Sequence, residues 1–345
     1  MKTYQLMLTP VSSFHGFPSS DTIFGAICWG IKRIYGNEKL LGILCNYQNN
    51  PEFILSSSFP YVEYGMDGLS FYPKSITGGL SALDIDELAK SKKEKVDIIT
   101  RYKKFKKAEY ITSPLFDRMI KGVKEKQLFK EYLDGGLELN GKILIEKLYE
   151  NIFRSLNPLF KNELVQKNSI DRLTMSTGKE GQTFYQEECF TDNGRFKLHL
   201  LLKTDNIDFL KPVFRYLEDK GIGGNRSTGK GRFKIKPLSE VSLGDNHSQK
   251  FITLSRYIPE VSEVNWESIS IFYEVFPWRS KVDSESEFKG EDIWKSKVMY
   301  LKEGSCLEAK ERKEFYGRVP VVKEIEGNKI CQNGIAFPVF GNFGG

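Results

Sequence analysis

The spacing of hydrophobic positions predicts that the chain begins with a strand, a loop and a helix. Hydrophobic side chains recur at every second position over residues 4–8, which is typical of a half-buried strand. A loop over residues 10–18 follows, and isoleucines then recur at helical spacing over residues 23–34. Ser19 or Ser20 can cap this helix, because a serine hydroxyl accepts a hydrogen bond from an N-terminal amide.

The same kind of pattern predicts the rest of a first folding unit. Short strands are expected between residues 52 and 73, and residues 196–202 alternate as a clear strand. An amphipathic helix that Asp208 can cap should run to Lys220, and residues 233–236 should form the next strand. With an intervening segment removed, the order matches a βαββαβ ferredoxin-like unit.

The remaining regions complete an expected α+β fold with two ferredoxin-like (RRM-like) domains. The first domain spans residues 1–240 and carries a Lys/Glu-rich insertion at about 80–160 and a β-hairpin at 165–190. The second, degenerate and β-rich domain spans residues 250–345. Within the insertion, helical patches are expected near residues 83–98 and 142–154. Strands of the second domain are expected at residues 251–258, 269–276, 297–301 and 335–339.

Composition places the chain among globular proteins and permits an anionic partner. Of its 345 residues, 40% are hydrophobic and 28% are charged, and the formal net charge is +6. The positive charge is concentrated between Lys90 and Lys107, where nine Lys or Arg residues accompany two acidic ones. Two interpretations of this run remain open, a solvated surface segment and a strip that contacts phosphates.

Cysteine usage and hydropathy favour a cytoplasmic protein that binds no metal or cofactor. The five cysteines lack C-x-x-C spacing, which argues against a zinc site and against a disulfide framework. No apolar stretch approaches the roughly 18 residues of a membrane span, and no secretory signal pattern is recognisable. We therefore expect no membrane partner.

Residues 221–233, which we call the glycine loop, carry the strongest chemical signal. Because glycine lacks Cβ, its backbone amide can approach an anion closely. The loop also contains three basic side chains and two hydroxyls, which suits it to hold a phosphate backbone. Its glycines are Gly221, Gly223, Gly224, Gly229 and Gly231.

Two other interpretations of the glycine loop must be weighed. Gly224 to Lys230 reads G-x-x-x-x-G-K, which is close to a nucleotide-binding P-loop. The next residue is Gly231, where a P-loop needs Ser or Thr to hold Mg²⁺, and here a helix precedes the loop instead of a strand. Nucleotide hydrolysis is therefore disfavoured, whereas a plain structural turn remains open.

The position of the glycine loop, between the last helix and last strand of the first unit, resembles the RAMP superfamily of CRISPR proteins. Three further stretches resemble one branch of it: residues 18–26 its first helix, residues 168–172 with 182–188 its thumb hairpin, and residues 334–338 its C-terminal strand. Together they resemble the subunit of the type III-A (Csm) effector complex that binds the crRNA 5′ handle. The equivalent type III-B subunit stays open, although the thumb sequence favours type III-A.

This resemblance implies a non-catalytic RNA-binding scaffold subunit. Such a protein caps the single-stranded 5′ handle of the crRNA and bridges the large Palm-domain subunit to the backbone RAMP subunit. Carried over to this sequence, the implied RNA contacts are Ser13, Phe14, His15, Arg172, Asn225, Arg226, Ser227, Thr228 and Lys230.

Alternatives remain for individual residues and for the activity. Arg172 can pair locally with Asp171, His15 can be a hydrogen-bonded loop residue, and Phe14 can belong to the core. The alternative function is a RAMP endoribonuclease that processes repeat RNA with His15 as general base. We expect no catalytic residue, because Asp21, near the place of the backbone subunit's catalytic aspartate, sits where a carboxylate stabilises a helix N-terminus.

Overall fold

The computed structural model describes residues 1–63, 68–155, 160–168, 170, 173–177, 183–191, 194–244, 247–282, 293–325 and 327–343. This described part is a mixed α+β structure, as the sequence predicts. Its helices are α1 (Ser20–Tyr35), α2 (Asn37–Asn46), α3 (Ala82–Leu88), α4 (Lys92–Phe105), α5 (Ser113–Ile120), α6 (Glu125–Leu133), α7 (Glu150–Ser155) and α8 (Ile207–Lys220).

The strands divide between the main sheet and several smaller units. In the first part of the chain they are β1 (Lys2–Pro10), β2 (Phe53–Leu55), β3 (Phe59–Val62), β4 (Leu69–Pro73), β5 (Tyr110–Thr112), β6 (Leu137–Asn140), β7 (Ile143–Glu146), β8 (Phe160–Asn168), β9 (Thr183–Thr191), β10 (Phe196–Thr204) and β11 (Phe233–Glu240). Later strands are β12 (Lys250–Thr253), β13 (Val275–Trp278), β14 (Val298–Leu301), β15 (Cys306–Glu308), β16 (Val321–Ile325), β17 (Asn328–Cys331) and β18 (Pro338–Phe340).

The main sheet has the order β11-β1-β10-β3-β4-β5-β7-β6, and β2 pairs with β10 at its side. Strand β1 lies between β11 and β10 and is antiparallel to both, and β3 continues the antiparallel pattern. Both β1 and β10 are therefore interior strands, and β10 is buried along nearly its whole length. This order places the start of β11, and with it the glycine loop, at one edge of the sheet.

Helices α1 and α8 pack against each other, and both begin close to the predicted positions. At Gly30 an added Cβ would lie 2.6 Å from a methyl carbon of Val213, so a side chain there would force the two helices apart. The cap of α8 differs from the prediction. Asn206, and not Asp208, accepts the hydrogen bond from the amide of Phe209.

The insertion differs from the prediction in one important respect. Helices α3 and α4 occupy the first predicted helical patch, and the Lys90–Lys107 run lies mostly on α4, with Ile98 and Phe105 buried. The second patch, residues 142–154, is wrong in its first part, because Ile143–Glu146 is a strand that extends the main sheet. A short apolar run cannot be assigned to a helix or a strand by periodicity alone.

Residues from both halves of the chain share the larger hydrophobic core. It joins Leu6 and Ile27 of the first half to Leu254 and Phe337 of the second. Strands β15, β12 and β18 form a small sheet, and no helix occurs among the described residues from 247 to 343.

The α+β class is thus confirmed, whereas the pair of ferredoxin-like domains and the division near residues 240–250 stay predictions. Within the described ranges, no helix is long and apolar enough to cross a membrane.

Candidate nucleic-acid interface

The glycine loop connects the end of α8 to the start of β11. Gly221 ends the helix with a left-handed φ of 81°, and Asn225 adopts a left-handed φ of 61° before one 3₁₀ turn at Arg226–Thr228. The Thr228 hydroxyl closes this turn by donating to the carbonyl of Asn225 at 2.9 Å. Gly224 and residues 227–229 are exposed and Asn225 and Arg226 are half-buried, so residues 224–229 form the tip of the loop.

The five glycines serve two different purposes. An added Cβ on Gly231 would lie 2.3 Å from the carbonyl oxygen of Ile222, and one on Gly221 would lie 3.0 Å from that of Gly231. These two glycines let the ends of the loop approach, and the Ile222 amide donates to the Gly231 carbonyl at 2.8 Å. A Cβ on Gly223, Gly224 or Gly229 would meet no atom within 4 Å. Tight packing therefore explains the first two glycines and leaves open space beside the other three.

A buried carboxylate, Glu188 of β9, ties the glycine loop to the hairpin formed by β8 and β9. Its Oε2 lies 3.0 Å from the ammonium of Lys230 and accepts a 2.6 Å hydrogen bond from the Ser13 hydroxyl. Its Oε1 lies 2.6 Å from the ammonium of Lys167 on β8. Lys230 also donates to Ser13 at 2.8 Å. One carboxylate thus joins the loop after β1, the hairpin and the glycine loop.

The electrostatics of this cluster favour the ionised carboxylate. Burial alone would raise the pKa of Glu188, which is only 1% exposed. Hydrogen bonds from Lys167, Ser13 and Lys230 outweigh that effect and lower the pKa to about 2. Glu188 is therefore charged at neutral pH and holds both lysines. Much of the charge of Lys230 is directed at Glu188 and not at solvent.

Phe14 and His15, two predicted RNA contacts in the loop after β1, differ in their exposure to solvent. Phe14, expected to face RNA, is 1% exposed and packs against Phe233 with ring centroids 5.3 Å apart. It also exchanges backbone hydrogen bonds with Cys189. The prediction for Phe14 is therefore corrected to a core residue. His15 is exposed, and its Nδ1 lies 2.9 Å from the carbonyl oxygen of Glu187. Because a carbonyl oxygen can only accept, Nδ1 is protonated and donates this hydrogen bond.

The structure brings most of the predicted site residues together. The tip of the glycine loop presents Asn225, Arg226, Ser227 and Thr228, while Ser13 and His15 contact β9 at its neighbouring residues 187 and 188. Arg172 and Asp171 lie outside the described residues.

The hairpin predicted at residues 165–190 is present and starts five residues earlier, at Phe160. Its exposed hydrophobic side chains include Leu164, Leu173, Met175 and Tyr185.

Asp21 has a structural environment. Its Oδ1 accepts hydrogen bonds from the Ser19 hydroxyl at 2.6 Å and from Arg256 Nη1 at 3.1 Å, and its Oδ2 accepts one from Gln332 at 2.9 Å. The Arg256 guanidinium lies 4.2 Å from the centroid of the Trp278 ring. Asp21 therefore fastens the start of α1 to the second half of the chain.

The other titratable groups considered from the sequence are separated from this site. His199 is fully buried in β10, where Nε2 lies 2.8 Å from the carbonyl of Phe71. Burial lowers its pKa to about 4, so the ring is neutral at physiological pH. Among the described residues, no cluster of three His, Cys, Asp or Glu side chains could hold a metal ion.

Sequence reasoning missed Glu188 and Lys167 as organising residues. Both lie in the hairpin that was predicted, but alternation along a strand does not say which charged residue turns inward. Glu188 is separated by 175 residues from Ser13, so only the tertiary structure makes this contact visible.

Comparisons with known proteins agree with the fold and the motifs. No protein-family model matches the chain. A curated relative, the CRISPR system Cms protein Csm4 of Thermococcus onnurineus (strain NA1), is 24% identical over 269 residues, which are 77% of this chain and 78% of the relative.

Solved structures show the same fold. In a Csm3-Csm4 subcomplex of the type III-A CRISPR-Cas interference complex, the matching chain is 19% identical with a TM-score of 0.57, covering 96% of this chain and 99% of that chain. In a Csm1-Csm4 cassette in complex with cA4, the matching chain is 15% identical with a TM-score of 0.58, and the match covers 99% of both chains. The resemblance to type III-A, Csm4-like RAMP proteins is therefore confirmed.

Proposed function

We propose that this chain is a non-catalytic subunit of a type III-A CRISPR effector complex that holds the 5′ handle of the crRNA. The observation that carries the proposal is the Glu188 cluster. Through Lys230, Ser13 and Lys167 it joins the three segments that the resemblance assigns to RNA contact. It fixes the base of the glycine loop, while Gly224 and residues 227–229 at the tip are exposed and Asn225 and Arg226 are half-buried.

The chemistry of the tip suits single-stranded RNA. Exposed hydroxyls at Ser227 and Thr228 can donate to phosphate or ribose oxygens, and Arg226 supplies a planar cation. The open space beside Gly224 and Gly229 allows a sugar-phosphate backbone to approach the chain closely. Lys230 has a different part in the proposal, because it holds Glu188 and thereby positions the tip.

We further propose that the chain bridges a large Palm-domain subunit and a backbone RAMP subunit. The solved structures that resemble this chain are a Csm1-Csm4 cassette and a Csm3-Csm4 subcomplex. Exposed hydrophobic side chains support such contacts, since a hydrophobic surface in contact with water is stabilised by burial against a partner. Leu173 on the hairpin is 96% exposed, and Ile269 in the second half is 94% exposed.

The proposal that the chain does not cleave RNA is supported by the state of Asp21. The Asp21 side chain is 3% exposed, and its carboxylate is held by Arg256 and Gln332, which disfavours a role in activating a nucleophile. One observation favours the endoribonuclease alternative. In a neutral His15 whose Nδ1 is protonated, Nε2 is unprotonated and could accept a proton from a 2′-hydroxyl.

Co-purification with the two partner subunits tests the proposal. The chain should join them in one complex that protects an RNA carrying a CRISPR-repeat 5′ handle, and this RNA should stay intact during incubation. Cleavage of the repeat RNA by the wild-type chain, abolished by His15→Ala, would establish the endoribonuclease instead. Failure to join either subunit in the presence of the RNA would contradict the scaffold role.

A further inference from the structure

The outer side of helix α4 carries lysines whose ammonium groups have no partner in the part of the chain that the structure describes. All of them are exposed, and within that part none forms an ion pair, a hydrogen bond or a contact with an aromatic ring. We call this group the lysine face. It consists of Lys92, Lys93, Lys103, Lys104 and, in the turn after the helix, Lys107.

Two other cations of α4 have a structural role. Lys95 forms an ion pair with Asp86 of α3. Arg101 donates to the carbonyl oxygens of Tyr132 and Leu133 at the end of α6, at 3.1 Å and 3.0 Å. These two side chains fasten α4 to its neighbouring helices, so packing does not explain the lysine face.

The carboxylates of α4 do not neutralise the lysine face. Glu94 and Asp97 are both exposed, and within the described ranges neither forms an ion pair with one of these lysines. Glu94 instead accepts a hydrogen bond from the backbone amide of Lys90 at 2.7 Å. On the neighbouring helix α6, by contrast, Lys126 lies 2.8 Å from the carboxylate of Asp84. The lysine face therefore presents a concentrated positive field, which attracts an anion.

The lysines follow the axis of the helix. Lys92, Val96, Ile99 and Lys103 are separated by four, three and four residues, so they lie along one stripe of the helix surface. At a rise of about 1.5 Å per residue, the stripe is about 16 Å long. Val96 is 66% exposed and Ile99 is 37% exposed. A line of cations with aliphatic side chains between them suits an extended polyanion that also carries carbon surface, as a sugar-phosphate backbone does.

The lysine face lies far from the glycine loop. Helix α4 contacts α6, and α6 packs on β6 at one edge of the main sheet. The glycine loop leads into β11 at the opposite edge. Seven strand spacings separate β11 from β6, which corresponds to roughly 30 Å along the sheet. A ligand that contacts both regions must therefore be long.

We propose that the lysine face binds the phosphate backbone of single-stranded RNA where this RNA extends beyond the handle. Phosphate contacts carry no sequence information, so this binding should not depend on the sequence of the extension. Lysine is depleted in protein–protein interfaces, which favours a phosphate backbone over an acidic protein surface. The inference rests on the proposed function, since it gives the RNA held by the glycine loop a second, independent contact.

Neutralising part of the lysine face tests the charges. The chain, assembled with its partner subunits, would be titrated with handle-only RNA and with the same handle followed by a single-stranded extension. Lys92→Gln/Lys103→Gln/Lys104→Gln should weaken binding of the extended RNA and leave binding of handle-only RNA unchanged. The salt slope should fall by about 0.7 for each lost phosphate contact. One lost contact should weaken binding about fivefold at about 0.1 M salt, because a slope of 0.7 over one decade of salt is a factor of about 5.

Lys297→Gln/Lys310→Gln/Lys313→Gln is the matched control. It removes the same number of charges at exposed positions in the second half of the chain. Both RNAs should bind this variant as they bind wild type. An equal loss of affinity in the two triple variants would show a general effect of net charge and would overturn the inference.

A single substitution between the lysines tests the position of the RNA. Val96→Glu places an anion in the middle of the stripe, and glutamate is a better helix former than valine, so α4 should keep its structure. This variant should also weaken binding of the extended RNA alone. Val261→Glu makes the same change at a position that is 75% exposed in the second half and should have no effect.

The outcomes separate this inference from the proposed function. If handle-only RNA binds and the α4 variants bind the extended RNA like wild type, the lysine face is a solvated surface and the inference is wrong. If the α4 variants lose a partner subunit in the absence of RNA, the lysine face docks a protein, which also overturns the inference. If the extension binds through α4 but the handle adds no affinity, the lysine face stands and the proposed handle function fails.

Discussion

The ammonium of Lys230 lies 3.0 Å from the carboxylate of Glu188, and this ion pair joins the glycine loop to the β8–β9 hairpin. The same carboxylate holds Lys167 on the opposite strand of that hairpin. Two surface segments that could otherwise move independently therefore share one buried anion. We interpret this arrangement as the means by which the loop tip and the hairpin keep a fixed relation when they contact RNA.

Replacing the buried carboxylate should loosen this junction. Glu188→Gln removes the charge and leaves Lys167 and Lys230 close together without an anion, so we expect a decrease of about 1–3 kcal/mol in unfolding free energy. Urea denaturation measures the change. Glu187→Gln, the same substitution at the neighbouring exposed position, should change stability little. Equal effects of the two variants would contradict a role for the buried cluster.

The same carboxylate should give a recognisable pH dependence. Hydrogen bonds lower the folded-state pKa of Glu188 from 4.5 to about 2, so its stabilisation is fully present above pH 4.5. It should be lost as the pH falls from 4.5 towards 2. The stability difference between wild type and Glu188→Gln should therefore shrink over this window in denaturation curves. A difference that stays constant there would show that Glu188 is not held as described.

Asp21 should matter for stability and not for chemistry. Asp21→Asn weakens the interaction with Arg256, whose side chain is 16% exposed, and should lower the unfolding free energy by about 2–4 kcal/mol. Asp208→Asn affects a carboxylate that is 79% exposed and should have a far smaller effect. Thermal melting compares the two. A stable Asp21→Asn protein that had lost an RNA-cleaving activity would contradict the structural assignment.

His199 should make the fold sensitive to mild acid. Burial lowers its folded-state pKa from 6.5 to about 4, so the folded state resists protonation that the unfolded chain accepts. The stability that follows is present above pH 6.5 and is lost as the pH falls from 6.5 towards 4. His199→Gln cannot titrate and should flatten this part of the stability profile. A stability profile that His199→Gln leaves unchanged between pH 6.5 and pH 4 would contradict this assignment.

The elements that the sequence predicts well are those in which hydrophobic residues recur at a regular spacing over many positions. Helix α8 and strand β10 follow their patterns closely, because one face of the helix and nearly all of the strand enter the core. Residues 143–146 do not, since a four-residue apolar strand has too few positions to reveal a period. Between residues 247 and 343, the described β strands are three to five residues long, and β12 pairs with β15 and β18, which are distant in sequence.

Some features of the candidate site can be predicted from the sequence, and others cannot. The glycine loop is visible in the sequence because glycine and basic residues concentrate within 13 positions. The burial of Phe14 is not visible there, because a ring beside a loop can face either the core or solvent. The direction of Lys230 depends on Glu188, which lies on the hairpin and not in the glycine loop. Such relations follow from the tertiary structure alone.

Binding of handle-bearing RNA by a loop-tip variant tests the central claim most directly. We would measure the affinity of the chain, assembled with its partner subunits, for RNA with and without the CRISPR-repeat 5′ handle at two salt concentrations. Arg226→Ala should weaken binding of the handle RNA and reduce the salt slope by about 0.7, as expected when one phosphate is no longer neutralised. Arg215→Ala, at an exposed position on α8, should do neither. Equal affinity for both RNAs, unchanged by Arg226→Ala, would contradict the account.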